Sequence, residues 1–181
     1  MKLFARLVLL SAPLAAIVAG PLAAQSALKG HNADAPLNVD AKSIDVLDAN
    51  GKAIFSGDVR ITQGDMKLNA DTVTVFYSRS KKGGSPTIER LDAQNNVKLI
   101  TPSETATGRY GIYDVGQKTI TLVGGVTLTH GESVLRGQRL AIDLESGRSK
   151  LDGAGTGAPG QPATTGGRVT GRFVVPPRTG K

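Results

Sequence analysis

The sequence predicts an all-β protein made of stacked units, a jelly-roll-like or flattened β-solenoid body open at both ends. Three observations carry that prediction. A block of about 21 residues recurs at 57–77, 95–115 and 124–144, the last two 29 residues apart. Apolar and polar residues alternate along most of the chain, which is the period of strands with one buried face. No window of helical length beyond the first 24 residues shows a convincing 3.6-residue period.

The repeat defines which side chains face inward. With Val59, Val97 and Val126 as origins, Ile61, Leu99 and Leu128 stand two residues on. Nine residues on come Leu68, Ala106 and Leu135, and eleven on come the small residues Ala70, Gly108 and Gly137. Val73/Val75, Gly111/Tyr113 and Leu140/Ile142 follow at fourteen and sixteen. A weaker first copy with Gly30 as origin brings Val39, Ala41, Ile44 and Val46 into register. Recurrence of this kind belongs to units that cannot bury an apolar face alone and so bury it by stacking.

Taken in order, residues 1–24 form a leader. Lys2 and Arg6 precede the apolar run Leu7–Ala19, and Leu22-Ala23-Ala24 before Gln25 makes a cleavage site. The run is shorter than the roughly 20 residues that span a bilayer, and Pro13 interrupts it, so it reads as a cleaved secretory signal. Residues 25–151 form the patterned domain. Within it Asn50-Gly51 predicts a hairpin between Ile44–Leu47 and Ala53–Phe55. Alternating stretches follow at Asp58–Thr62, Met66–Ala70, Thr72–Val75 and Thr119–Leu122. Gly64, Pro102 and Gly131 mark turns inside the units, while Asn95-Asn96, Gly124-Gly125 and Ser146-Gly147 predict further reversals.

The buried positions also change parity. After the turn at Gly64, Pro102 or Gly131 they are odd, and after the small residue at position eleven they are even again without a loop. A bulge or sharp corner at Ala70, Gly108 and Gly137 is expected there, carrying each unit from one sheet to a facing one. Residues 78–87 are a flexible basic loop inserted between two units. Residues 152–181 are a low-complexity basic tail, with a possible final strand at 168–175 before Pro176-Pro177.

Composition narrows the function. With no cysteine, disulfides and thiolate chemistry are excluded. The formal charge of +7 is unevenly placed: residues 25–147 are neutral overall and residues 148–181 carry +5. A basic body that tracks phosphates is therefore not expected, and nucleic acid is not an expected partner. His31 and His130 lack ligand-like neighbours, the acidic residues sit at outward positions or turns, and the glycine pairs open no helix. Neither an enzyme nor a metal or cofactor site is expected.

The interior and the ends remain. Val59, Ile61, Leu68, Val73, Val75, Val97, Leu99, Val126, Leu128, Leu135, Leu140 and Ile142 are the inward residues and the candidate lipid-binding set. They form either a dry core or the lining of an apolar groove. A stack also ends in unpaired backbone groups, which suit the addition of a partner's strand, and a head-to-tail contact of this kind extends into a filament.

The package Phe55-Ser56-Gly57-Asp58-Val59-Arg60-Ile61 followed by Leu68-Asn69-Ala70-Asp71, behind a signal peptide, resembles the OstA-like domain of the LptA family. The resemblance is strongest over residues 33–77 and extends to about residue 151. It implies a twisted antiparallel β-jelly roll, open along one side, whose groove holds the acyl chains of lipopolysaccharide in the periplasm. It also implies end-to-end joining with further copies, with an LptC-like inner-membrane partner and with an LptD-like outer-membrane partner. The alternatives are a structural β-filament of the envelope with a dry core, or an OstA-like domain of another envelope assembly.

Overall fold

The computed structural model describes residues 31–79, 85–153 and 167–174. The leader and the residues after it to 30, residues 80–84 of the inserted basic loop, residues 154–166 and residues 175–181, with the end of the expected final strand, lie outside them. Among the described residues ten strands make one antiparallel sheet. They are β1 (Asn38–Asp40), β2 (Ser43–Leu47), β3 (Lys52–Gln63), β4 (Met66–Ser78), β5 (Thr87–Ile100), β6 (Glu104–Asp114), β7 (Thr119–His130), β8 (Ser133–Asp143), β9 (Arg148–Asp152) and β10 (Thr170–Arg172). A short 3-10 turn, Asp48–Asn50, follows β2. β3 to β8 pair in sequence order; β1 and β2 share the outer edge of β3, and β9 and β10 share the outer edge of β8.

The six long strands all break register at one level. The shifts at that level fall between Ser56 and Val59, Asn69 and Thr72, Gln94 and Val97, Thr107 and Tyr110, and Val123 and Val126, and β4 has one more against β5 between Phe76 and Tyr77. On alternate strands this level holds a pair of residues with positive φ: Gly57-Asp58, Asn95-Asn96 and Gly124-Gly125. Gly, Asn and Asp tolerate that left-handed backbone at least cost. The strands between carry the small residues Ala70, Gly108 and Gly137. A Cβ on Gly137 would stand 2.8 Å from the Asp152 carbonyl oxygen, so the corner closes tightly only without one.

Two expectations change here. Asn95-Asn96 and Gly124-Gly125 are not chain reversals; they lie inside β5 and β7 as bulges, because positive φ in consecutive residues bends a strand as readily as it ends one. The facing layers are one sheet folded along the bulge line rather than two sheets. The first wall holds the β3, β5 and β7 segments that begin at Val59, Val97 and Val126, with their partners, β1 and β10. The second wall holds the segments across the corner, with β2 and β9. The Asn50-Gly51 hairpin forms as expected, with Gly51 at φ 57 and Leu47 paired to Lys52. Turns also form at Gly64, Gly131 and Ser146-Gly147.

The inner faces of both walls merge into one apolar cluster. Val59, Val73, Leu122 and Leu140 have no exposed surface, and Ile61, Leu91, Val97, Tyr113 and Val126 retain 1%. Ala33, from the segment before β1, is part of the same cluster.

Candidate functional site

Eleven of the twelve candidate residues are buried: Val59, Ile61, Leu68, Val97, Leu99, Val126 and Leu128 on the first wall, and Val73, Val75, Leu140 and Ile142 on the second. Leu135, on β8, is half-buried and packs against the cluster. The repeat therefore brings all twelve onto one continuous inner surface. Sequence reasoning left out Met66, Leu91, Ala93, Ile120, Leu122 and Leu144, which join it. Leu91 and Ala93 precede the repeat's origin residue, but their alternation with Asp92 is a strand signal that could have found them.

The first copy behaves differently from the others. Val39 and Ala41 pack against the cluster. Ile44 pairs with Phe55 and Val46 with Ala53, so both project from the inner face of the second wall. They are nonetheless 56% and 53% exposed, because among the described residues no strand lies beyond β2 to cover them.

Two polar residues are buried among the described residues, Gln63 and Thr101, and Gln63 borders the apolar interior. Gln63, at the end of β3 on the first wall, is 1% exposed. Its Nε2 donates to the carbonyl oxygens of Ala33 at 2.7 Å and Ala35 at 2.9 Å. Its Oε1 accepts from the Tyr113 hydroxyl at 2.9 Å, and His31 Nε2 lies 3.2 Å away. Tyr113 belongs to the second wall, so Gln63 braces the walls across the interior. Burial pushes the Tyr113 hydroxyl above the usual phenol range, against the lowering effect of its bond to Gln63, and it stays a neutral donor. On the other side Asp34 reaches Lys118, in the β6–β7 turn, at 3.9 Å. Residues 31–35 thus lie as a strap across the mouth between the walls. His31 is a half-buried part of this strap.

The outer surface carries ordinary exposed pairs. Arg90 lies over the Phe76 ring at 4.5 Å. Asp48, in the turn after β2, accepts from Tyr77 at 2.5 Å and Arg79 at 2.7 Å. The Tyr77 bond is the main cause that holds the Asp48 carboxyl below its usual range. Glu104 stands 3.5 Å from His130 on the surface. Among the described residues no group of three or more His, Cys, Asp and Glu is placed to hold a metal, and no helix is long and apolar enough to cross a membrane.

Residues 38–148 match the family model described as LptA/(LptD N-terminal domain) LPS transport protein. An uncharacterised protein of Rhizobium meliloti is 34% identical over 126 residues, 67% of this chain and 68% of that protein. The lipopolysaccharide export system protein LptH of Pseudomonas aeruginosa is 25% identical over 147 residues, covering 79% of this chain and 74% of LptH. The crystal structure of LptH, titled the LptA-homologous periplasmic component of the lipopolysaccharide transport device of that organism, superposes with a TM-score of 0.62 at 23% identity. That superposition covers 80% of this chain and 97% of LptH, and bears out the all-β, unclosed antiparallel fold. With its family model spanning β1 to the start of β9, the chain belongs to the LptA/LptD N-terminal-domain family of lipopolysaccharide transport proteins, which are carriers rather than enzymes.

Proposed function

We propose that the protein is a periplasmic bridge component that shelters the acyl chains of lipopolysaccharide between its two walls on the way from the inner to the outer membrane. The supporting observation is a single apolar cluster that runs unbroken from β3 to β8 inside a sheet folded but not closed. A lipid in water needs such continuity. Each methylene kept from water contributes about 0.8 kcal/mol, so a twelve-carbon chain costs roughly 10 kcal/mol to expose. The inner side chains close over one another in the free chain, so loading parts the walls along the mouth, where turns and the strap of residues 31–35 stand in the way among the described residues.

In this reading the leader, residues 1–24, is removed during export and the mature chain begins near Gln25. The bridge extends head-to-tail to further copies, to an LptC-like partner at the inner membrane and to an LptD-like partner at the outer one, through strand addition at the uncovered rims. Photocrosslinkers at Val75 and Leu128, compared with the outward positions Arg60 and Thr74, test the shelter on purified mature protein mixed with lipopolysaccharide. Labelling from Val75 and Leu128 is the expected result. Labelling from Arg60 and Thr74 alone places the lipid outside and leaves the dry envelope filament as the better account.

A further inference from the structure

The two buried polar residues are used differently. Thr101 serves its own turn, donating to the Glu104 carbonyl oxygen at 3.2 Å and accepting from the Glu104 N–H at 3.0 Å. Gln63 takes its partners from other elements. Its Nε2 donates to two peptide carbonyls of the strap, Ala33 at 2.7 Å and Ala35 at 2.9 Å. Its Oε1 accepts from Tyr113 on the opposite wall at 2.9 Å, with His31 Nε2 at 3.2 Å.

The strap has weak anchors apart from that amide. Ala33 is its one side chain in the apolar cluster, and it contributes a methyl group. The Asp34–Lys118 pair spans 3.9 Å with the Asp34 side chain 84% exposed, and exposed pairs of this kind contribute little. The Ala33 and Ala35 N–H groups bond within the strap, to the carbonyls of His31 and Asn32, and hold the strap to neither wall. Residues 31–35 are thus a short peptide docked mainly through two carbonyls on one glutamine.

Opening the mouth strips these partners away. Gln63 then presents two N–H groups, and Tyr113 a hydroxyl, to apolar side chains, and unmet donors oppose loading. A bare hydrocarbon chain offers them no acceptor. The carbonyl of an ester or amide, through which an acyl chain joins its headgroup, is the acceptor the strap already supplies. Its oxygen has two lone pairs, so it can accept from Gln63 Nε2 and from the Tyr113 hydroxyl at once.

Resting on the bridge reading above, we propose that Gln63 and Tyr113 form a recognition site for acyl carbonyls at the mouth, which residues 31–35 occupy in the free chain as an internal surrogate. A lipid enters by exchange. Its ester or amide carbonyl replaces those of Ala33 and Ala35, and its hydrocarbon replaces the Ala33 methyl. The site selects by linkage as well as by chain, and it fixes where the chain begins: the carbonyl stays at the mouth while the hydrocarbon runs inward.

The test uses two probes of equal chain length, monolauroylglycerol, an ester, and monododecylglycerol, the ether that lacks the carbonyl. Each is titrated below its micelle concentration into the purified mature protein. The parent chain binds the ester about tenfold more tightly than the ether. Gln63→Leu binds the two equally and holds the ether at least as well as the parent does. Tyr113→Phe keeps the Gln63 donors and retains about a threefold preference. Strand content by circular dichroism is unchanged in both variants. In the parent, the ester speeds amide exchange at residues 31–35, the reverse of the protection a ligand gives to residues it covers. Equal affinity of the parent for ester and ether, a full ester preference in Gln63→Leu or in Tyr113→Phe, or slower exchange in the strap on loading overturns the proposal. Lipopolysaccharide labelling from Val75 and Leu128 is measured alongside. Labelling without an ester preference rejects the carbonyl site alone, and an ester preference without labelling upholds the site and rejects the bridge reading.

Discussion

Leu140 and Ile44 are similar apolar side chains at similar places in the repeat, both on the inner face of the second wall. Leu140, between β7 and β9, has no exposed surface; Ile44, on the last strand of the wall, is 56% exposed. The contrast holds for the whole molecule. In the middle of the stack each inner residue has a strand on both sides and a wall opposite. At the rims one side is missing. Periodicity decides which way a side chain points, and the number of neighbouring strands decides whether it is buried.

The widest expected gap between middle and rim is in truncation. Leu140→Ala removes a fully buried side chain from a packed region and costs about 2–5 kcal/mol by chemical denaturation. Ile44→Ala removes exposed surface and stays within about 0.5 kcal/mol for the isolated chain. Equal costs would mean that β2 is already covered in solution, which would break the comparison.

The brace is the next largest. Gln63→Leu fits the apolar surroundings but strips partners from the Tyr113 hydroxyl, from the buried carbonyl of Ala33 and from the half-buried carbonyl of Ala35. An unsatisfied buried polar group costs about 1–3 kcal/mol. The loss is expected to be local as well as global: amide exchange at residues 31–35 speeds up more than in β6 and β7. Uniform acceleration across the sheet would show that the strap is no separate unit.

These two sites differ in how legible they were. Leu140 and its equivalents follow from alternation plus a repeat, since a two-residue period fixes the face of a strand. The corner at Ala70, Gly108 and Gly137 was legible too, from a parity change without a loop. Its neighbours were misread. Asn95-Asn96 and Gly124-Gly125 have the composition of a reversal, and only the long flanking strands separate a bulge from a turn. The Gln63 brace had no local signal. A glutamine at the end of a strand looks like surface, and its partners lie 28, 30, 32 and 50 residues away in the chain. The exposure of Ile44 and Val46 was equally hidden, because a repeat unit carries no mark saying that it is the last.

The bulge line tests whether the corner or the core sets the fold of the middle. Asn95 has φ 59, a conformation that costs a β-branched residue about 1–2 kcal/mol. Asn95→Val is expected to lose about that much, and Asn95→Gly to lose little, because glycine accepts the same backbone. A well-tolerated valine would indicate that β5 straightens there and that packing, not the bulge, holds the walls together.

The smallest effect lies at the β8–β9 turn, on the rim rather than in the stack. The Ser146 backbone N–H donates to Asp143 Oδ1 at 2.8 Å, and the Glu145 N–H does so at 3.0 Å. These bonds favour the carboxylate, Ser146's most, and hold the Asp143 pKa below its usual range. A carboxylate depressed in the folded chain contributes stability above its unfolded pKa and loses it as pH falls through the folded one. Asp143 keeps contact with solvent, so the contribution is small. A carboxyl chemical-shift titration should place its midpoint below those of ordinary exposed carboxylates. Over that acid interval amide protection should fall at Glu145 and Ser146 while the exchange of Leu122 and Leu140 stays unchanged. Loss of protection at all four together would tie the rim to the stack as one cooperative unit, and the difference between middle and ends would then be one of exposure alone.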